Sequence, residues 1–237
     1  MKKHNIDIVF PQTSWEIFQL SKASNQIGKY CKLLASSHEA IKICENKFLM
    51  YEHFKGKMEV PEYYLVNTLE ELENAASKLG YPSKDVVFKP PEGKGARGVR
   101  VMTEKSDRYE LLFKGRPYAK YISMDELKKT VGDREIPQMM VMEYLEGGEL
   151  KIDPVLQNGD MLVCSVKNRM NFDSGLAMGF EVIEDNEAIE YGKEVMRHLP
   201  MDYCVDICTR GDMLMEINPR VSTFVYADNY CPPYLSL

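Results

Sequence analysis

The segment Met213-Leu-Met-Glu216-Ile-Asn218-Pro-Arg220 sets a carboxylate, a carboxamide two residues later, and then a guanidinium. On a strand, residues i and i+2 project from the same face, so the oxygens of Glu216 and Asn218 can converge on one point. Convergent oxygens suit a hard cation such as Mg²⁺, and a neighbouring arginine suits phosphate oxygens. Read this way, the segment handles a metal–nucleotide complex. Read alone, it equally describes a strand end carrying three solvated polar residues.

A second stretch, Lys89-Pro-Pro-Glu-Gly93-Lys94-Gly95-Ala-Arg97-Gly98-Val99, is a glycine-rich turn with two cations inside it. Glycines let backbone N–H groups approach phosphate oxygens closely, and such a turn can form an anion-binding nest. Formally it contains Gly-x-Gly-x-x-Gly, but the dinucleotide version needs a helix directly after the turn, whereas Val99-Arg-Val-Met102 reads as a returning strand. A Walker loop is absent. A protein kinase also lays a glycine loop between strands, yet this chain has no catalytic-loop or Asp-Phe-Gly counterpart. A surface hairpin tip is the plain alternative.

In Met140-Val-Met-Glu143-Tyr144-Leu145-Glu146-Gly147-Gly148-Glu149, an apolar strand runs into a Gly-Gly turn that can expose backbone groups to a purine edge. Glu149 is a candidate acceptor for ribose hydroxyls, and a hairpin with solvated glutamates reads the same way. Lys167 and Arg169 lie two apart on an expected strand, which suits a phosphate or carboxylate clamp as well as a solvated edge. Asp206, on the strand expected to pair with 212–218, is a candidate third metal ligand or a turn partner.

The elements that must position these groups alternate at first. Ile6–Phe10 reads as a strand, followed by the capping box Thr13-Ser-Trp-Glu16; Lys32–Ala35 reads as a second strand, followed by the box Ser36-Ser-His-Glu39 opening a helix through Cys44. Such β-α-β-α alternation implies a parallel sheet, here too short for a whole doubly wound domain. A helix is expected over 47–54, a strand at 63–66, a helix capped at Thr68 and a strand at 85–89. Ser123-Met-Asp-Glu126 caps a short helix, and strands follow at 138–145, 149–156 and 161–167. Asn158-Gly159 marks a hairpin. A helix over 184–198 and a hairpin of 203–209 with 212–218 precede a Pro-rich tail.

The 237 residues, 44% of them apolar, can bury a sizeable core as one large domain or two small ones. A net charge of −6 and a pI near 5.4 argue against nucleic-acid or acidic-membrane partners. No apolar run approaches a membrane span and the start lacks a signal-peptide core, which predicts a cytoplasmic protein. The six cysteines (31, 44, 164, 204, 208, 231) contain no Cys-x-x-Cys pair and fit thiols in a reducing compartment.

In their order, the lysine and glycine loop, the Glu-Tyr-Leu hinge, Gly-Gly-Glu, the basic pair and Glu-Ile-Asn-Pro-Arg resemble the ATP-grasp superfamily. The carbamoyl-phosphate-synthase large-subunit type is nearest, through Ile41-Lys-Ile-Cys-Glu-Asn-Lys47. The resemblance spans nearly the whole chain. It implies an α+β ATP-grasp fold whose two α+β lobes sandwich ATP, preceded by a truncated α/β parallel-sheet segment. The boundaries expected are 1–45 for that segment and 46–237 for the ATP-grasp domain, with a small lobe over about 62–145 and a large lobe over about 146–237.

Carried over residue by residue, the resemblance gives Lys47 and Lys89 phosphate contacts and closes Gly93, Lys94, Gly95, Arg97, Gly98 and Val99 over the triphosphate. It gives Glu143, Tyr144 and Leu145 the adenine and Glu149 the ribose. Glu216 and Asn218 would bind Mg²⁺ (Mn²⁺ as an alternative) with Asp206 as a further ligand. Arg220 would neutralise the transferred γ-phosphoryl group, with Lys167 or Arg169 assisting. The implied reaction phosphorylates a small carboxylate to an acyl phosphate that an amine or similar nucleophile attacks. Phosphoryl transfer needs positioning and charge neutralisation more than a nucleophilic side chain. Family members normally carry a strand–helix unit before the segment at Ile6 and a longer part after the Asn-Pro-Arg motif. The expectation is therefore a compact or truncated member, with a non-catalytic ATP-binding module as the alternative and a homodimer as the assembly considered.

Overall fold

The structure is a computed structural model that describes residues 4–113, 120–173 and 176–222. The Pro-rich tail and Cys231 lie outside the described residues. The chain divides into two compact units: unit 1 is Met1–Glu59, Gly148–Met170 and Phe180–Leu237, and unit 2 is Val60–Gly147 and Asn171–Gly179.

Unit 1 begins with β1 (Ile8–Val9), α1 (Ser14–Lys22), α2 (Ser24–Ile27) and β2 (Lys32–Leu33), and β1 and β2 pair in parallel. The Thr13 box forms as the sequence predicts: Thr13 Oγ1 accepts from Glu16 N at 3.2 Å, and Glu16 Oε2 accepts from Thr13 N at 3.0 Å. The second box shifts by one residue. Ser37 caps α3 (His38–Glu45) by accepting from Ala40 N at 3.2 Å, while the Ser36 hydroxyl donates to Asp202 O and accepts from Asp202 N, both at 3.0 Å. Adjacent serines can each cap, and the tertiary partner decides between them. Asn46 then caps α4 (Lys47–Phe54) from both Phe48 N and Leu49 N at 3.1 Å. Tyr51 and Phe54 of α4 are fully buried, and Tyr51 donates to Met215 O at 3.0 Å.

Unit 2 contains β3 (Tyr63–Val66), α5 (Leu69–Lys78), β4 (Val86–Lys89), β5 (Arg100–Met102), α6 (Arg108–Phe113), β6 (Tyr121–Ile122), α7 (Met124–Val131) and β7 (Met139–Glu143). Its sheet has the order β3-β7-β4-β5-β6, antiparallel except where β6 joins β5. Leu72 and Ala76 of α5, Leu127 of α7, and Val86, Phe88 and Val141 of the sheet share one apolar core. The strand pair flanking the glycine turn is as expected; α6 and the two-residue β6 are not anticipated.

The chain continues with β8 (Glu149–Gln157), β9 (Asp160–Asp173), β10 (Leu176–Ile183), α8 (Asn186–His198), β11 (Tyr203–Cys204), β12 (Asp206–Arg210) and β13 (Met213–Asn218). The six-stranded sheet has the order β10-β9-β8-β12-β13, with β11 also on β8. Positive φ at Asn158 (52°) and Gly159 (84°) makes the predicted hairpin turn. The strand expected over 203–209 is instead broken at Val205, after Tyr203 takes φ 63°. Leu150, Ile152, Ile207 and Ile217 alternate along these strands with Glu149, Lys151, Asp153, Asp206, Cys208, Glu216 and Asn218, so one face is apolar. Helix α8 lies close on that face: a Cβ on Gly192 would come within 3.0 Å of Ile152 Cγ2. No helix among the described residues is long and apolar enough to cross a membrane.

Candidate functional site

In unit 2 the end of β4 delivers Lys89, 7% exposed and opposite Met140 of β7. The turn beyond it is left-handed at Gly95 (φ 64°), Ala96 (φ 57°) and Gly98 (φ 76°), and is held by Arg97 N on Lys94 O at 3.5 Å and Val99 N on Ala96 O at 3.2 Å. Gly98 is favoured by its φ, and a Cβ there would sit 3.0 Å from Pro90 Cδ, closer than ordinary van der Waals contact. Lys94 and Arg97 are exposed. Where β7 ends, Glu143 Oε1 accepts from Glu62 N at 2.9 Å and Glu143 N donates to Glu62 O at 3.1 Å. That carboxylate fastens the start of β3, leaving half-buried Tyr144 and buried Leu145 to follow it.

In unit 1 the cross-strand register brings most of the candidate residues to one sheet face. Glu149 of β8 lies opposite Arg169 of β9 and Arg210 of β12, Lys151 opposite Lys167 and Cys208, and Asp153 opposite Ser165. On β13, Glu216 lies opposite Cys208 and Asn218 opposite Asp206. Directly opposed residues share a face, so this whole set forms one polar ladder, opposite in direction to the apolar face under α8. Lys47 stands apart from the ladder in sequence, in the first turn of α4.

The ladder is largely self-paired. Lys151 forms an ion pair with Asp206, and Lys167 one with Asp153 at 2.6 Å. Glu149 takes Arg169 on Oε1 and Arg210 on Oε2, the latter at 2.9 Å. Arg220 Nη1 lies 3.9 Å from Asp206 Oδ2 and donates to Val221 O at 2.8 Å. Asn218 Nδ2 donates to Glu216 Oε1 at 3.2 Å, so these two side chains do meet on one face. Lys151, Asp153, Lys167 and Asp206 are all buried, and the second oxygen of Asp153 and the Ser165 hydroxyl have no hydrogen-bond partner.

Burial first, and then the Asp206 carboxylate, push the Asp153 carboxyl up to about 6; the Lys167 and Lys151 ammoniums pull it back without prevailing. Burial works against the Lys151 ammonium, yet the Asp206 and Asp153 carboxylates hold it above the ordinary lysine range. Burial also drives the Cys208 thiol well above its usual range.

Among the described residues no group of three His, Cys, Asp or Glu is arranged to hold a metal. The oxygen set on offer is Glu216 with Asn218, because Asp206 is covered by Lys151. The sequence reading missed Lys151, Asp153 and Arg210. The signal available for the first two is the Glu149-x-Lys151-x-Asp153 alternation on an expected strand; Arg210 falls between the two expected strands 203–209 and 212–218.

Residues 135–227 match a family model described as an ATP-grasp in the biosynthetic pathway with Ter operon. No curated protein matches the chain. Among solved structures, an N5-carboxyaminoimidazole ribonucleotide synthetase in its ADP complex is similar with TM-score 0.66 at 15% identity, over 93% of this chain and 55% of that one. The Staphylococcus aureus N5-carboxyaminoimidazole synthetase complexed with ADP gives TM-score 0.68 at 12% identity, over 91% and 56%. The Bacillus anthracis D-alanine–D-alanine ligase complexed with ATP gives 0.58 at 18%, over 91% and 68%. The chain thus spans little more than half the length of the two synthetases. With the polar ladder, the glycine turn and these likenesses together, the chain has the α+β ATP-grasp fold.

Proposed function

We propose that this chain is the ATP-binding part of an ATP- and Mg²⁺-dependent ligase that activates a carboxylate as an acyl phosphate for attack by an amine or similar nucleophile. The observation that carries the reading is the meeting of Glu216 and Asn218 on one face of β13, followed by Arg220, in a chain of ATP-grasp fold. The neighbours crystallised with ADP or ATP support a nucleotide as the ligand, and their names support a ligase.

In unit 2 we assign phosphate contacts to Lys89 and to the 93–99 turn, whose left-handed residues suit backbone N–H donation. We assign the adenine to the backbone of Glu143, Tyr144 and Leu145. In unit 1 we assign phosphate to Lys47 and the ribose edge to Glu149. The cation falls to Glu216 and Asn218, whose oxygens match the hard-donor preference of Mg²⁺. When bound, Mg²⁺ supplies charge neutralisation to the phosphates. Arg220 offsets the charge that develops on the moving phosphoryl group, and Lys167 and Arg169 set the field behind it. The carbamoyl-phosphate-synthase flavour rests on the 41–47 segment and the motif order, so the substrates are proposed by class only.

A second reading, a module that binds Mg·ATP without turnover, is favoured by one observation. Lys167 and Arg169 are already paired with acids of the same sheet, at Asp153 and Glu149.

The test is a thermal-shift titration with Mg·ATP, followed by a carboxylate and amine library scored for ADP release. The ligase reading expects a shift, carboxylate-dependent ADP and phosphate, and loss of both in Glu216→Ala. A shift without turnover selects the module. Hydrolysis indifferent to every carboxylate and amine counts against the ligase, and no shift at all counts against both readings.

A further inference from the structure

We infer that an open depression beside β2 binds a small phosphate monoester, at residues other than those assigned to ATP. The depression lies in unit 1 and holds about 600 Å³, within the size range of small-molecule sites. Ser24, Gly28, Lys29, Tyr30, Lys32 and Leu33 line it. Among the described residues its lining carries two ammoniums and no carboxylate, in a chain of net charge −6. That local sign suits an anion. β1 pairs with β2 along one edge only, and the depression follows the other.

The strand register adds a main-chain donor. Lys32 N donates to Asp7 O at 2.8 Å and Leu34 N to Val9 O at 2.9 Å, both toward β1. Alternation along a strand turns the Leu33 N–H and C=O the other way, into the depression that Leu33 lines. The N–H suits a phosphate oxygen, and the carbonyl suits a hydroxyl of the esterified alcohol. Lys29 and Lys32 are exposed, so an anion can reach their ammoniums from solvent. Lys32 is further located by an aromatic ring: its Nζ lies 5.6 Å from the centroid of Tyr203. Tyr203 keeps φ 63°, a left-handed backbone that is costly for an aromatic residue and persists only where its surroundings enforce it. A strained residue thus sets its ring under a cation of the lining.

The experiment titrates glycerol 3-phosphate into the full chain by calorimetry, with Mg²⁺ and a non-hydrolysable ATP analogue in excess to fill the proposed nucleotide site. One glycerol 3-phosphate per chain should bind, and glycerol alone should not. Affinity should fall about tenfold or more in Lys29→Gln/Lys32→Gln, whose exposed side chains leave the fold intact. Leu33→Pro removes the outward N–H while keeping the Lys32 and Leu34 bonds to β1, and should weaken binding about fivefold. An absence of saturable heat, equal binding of glycerol, or unchanged affinity in the lysine double variant overturns the inference. So does unchanged affinity in a folded Leu33→Pro. The lysine pair localises the binding whether or not the analogue is held, so these outcomes stand apart from the success or failure of the ligase reading.

Discussion

At Glu149 two guanidiniums close on one carboxylate, Arg169 on one oxygen and Arg210 on the other, with the acid 3% exposed. Glu149→Gln keeps the shape and removes the charge, leaving both arginines without their acid. A loss of roughly 3 kcal/mol in urea denaturation is expected, and Glu149→Gln/Arg210→Met should recover part of it. If Glu149 also meets the ribose, the variant should lose the preference for ATP over 2′-deoxy-ATP; unchanged discrimination would confine Glu149 to holding the ladder. The residue types here were legible, since Glu149, Lys167, Arg169, Asp206, Glu216 and Asn218 were all picked out by spacing. Their partners were not. Arg210 reaches Glu149 across 61 positions and Lys151 reaches Asp206 across 55, and a period of two says which face a side chain takes but not which strand lies beside it.

Among the elements, the glycine turn between β4 and β5 was readable because its residues demand unusual backbone angles. Gly98 is the sharpest case: φ is 76° and a Cβ would lie 3.0 Å from Pro90 Cδ. Gly98→Ala should therefore strain the turn by about 1–2 kcal/mol. If the turn binds phosphate, calorimetry should also show Mg·ATP affinity falling about tenfold or more, 1.4 kcal/mol per decade. Stability loss with unchanged affinity would remove the turn from the nucleotide site. Caps were legible for a similar local reason, and Thr13→Ala at the start of α1 should cost about 1 kcal/mol, read as a lower urea midpoint. The Ser36/Ser37 slip shows the limit, because a distant backbone group at Asp202 claims one of two equivalent hydroxyls. Strand β10 was missed because Leu176-Ala-Met-Gly-Phe-Glu-Val-Ile carries a glycine mid-run and lacks clean alternation.

For the molecule as a whole, motif order along the chain pointed to the fold, while the burial of its charges followed only from the assembled sheet. That burial sets how global stability responds to pH. Asp153 titrates near 6 in the folded chain against 3.8 for an ordinary aspartate, so between these values the native state holds a proton that the unfolded chain has released. The stability this contributes is complete below the lower value and is lost as pH rises through the upper one. Two pKa units amount to roughly 3 kcal/mol. Asp153→Asn cannot titrate, so it should gain on the wild type by about that amount across the window, although Lys167 keeps only an amide as partner. A wild-type-minus-variant difference that stays flat with pH, or grows in the opposite sense, would sink this account.

The alkaline limb runs the same way. The folded chain holds protons on Cys208, on Tyr81 and Tyr191 up to about 12, and on Lys151 above its ordinary range, with burial the leading cause for the thiol and both phenols. The unfolded chain releases each of them earlier, so stability should fall steadily once pH passes the free thiol and phenol range, by about 1.4 kcal/mol per pH unit for each proton. Cys208 offers a direct readout. Its thiol should stay silent to a thiol reagent in the native chain at mildly alkaline pH and react in step with global unfolding, whereas Cys208→Ala should make that limb shallower by one proton.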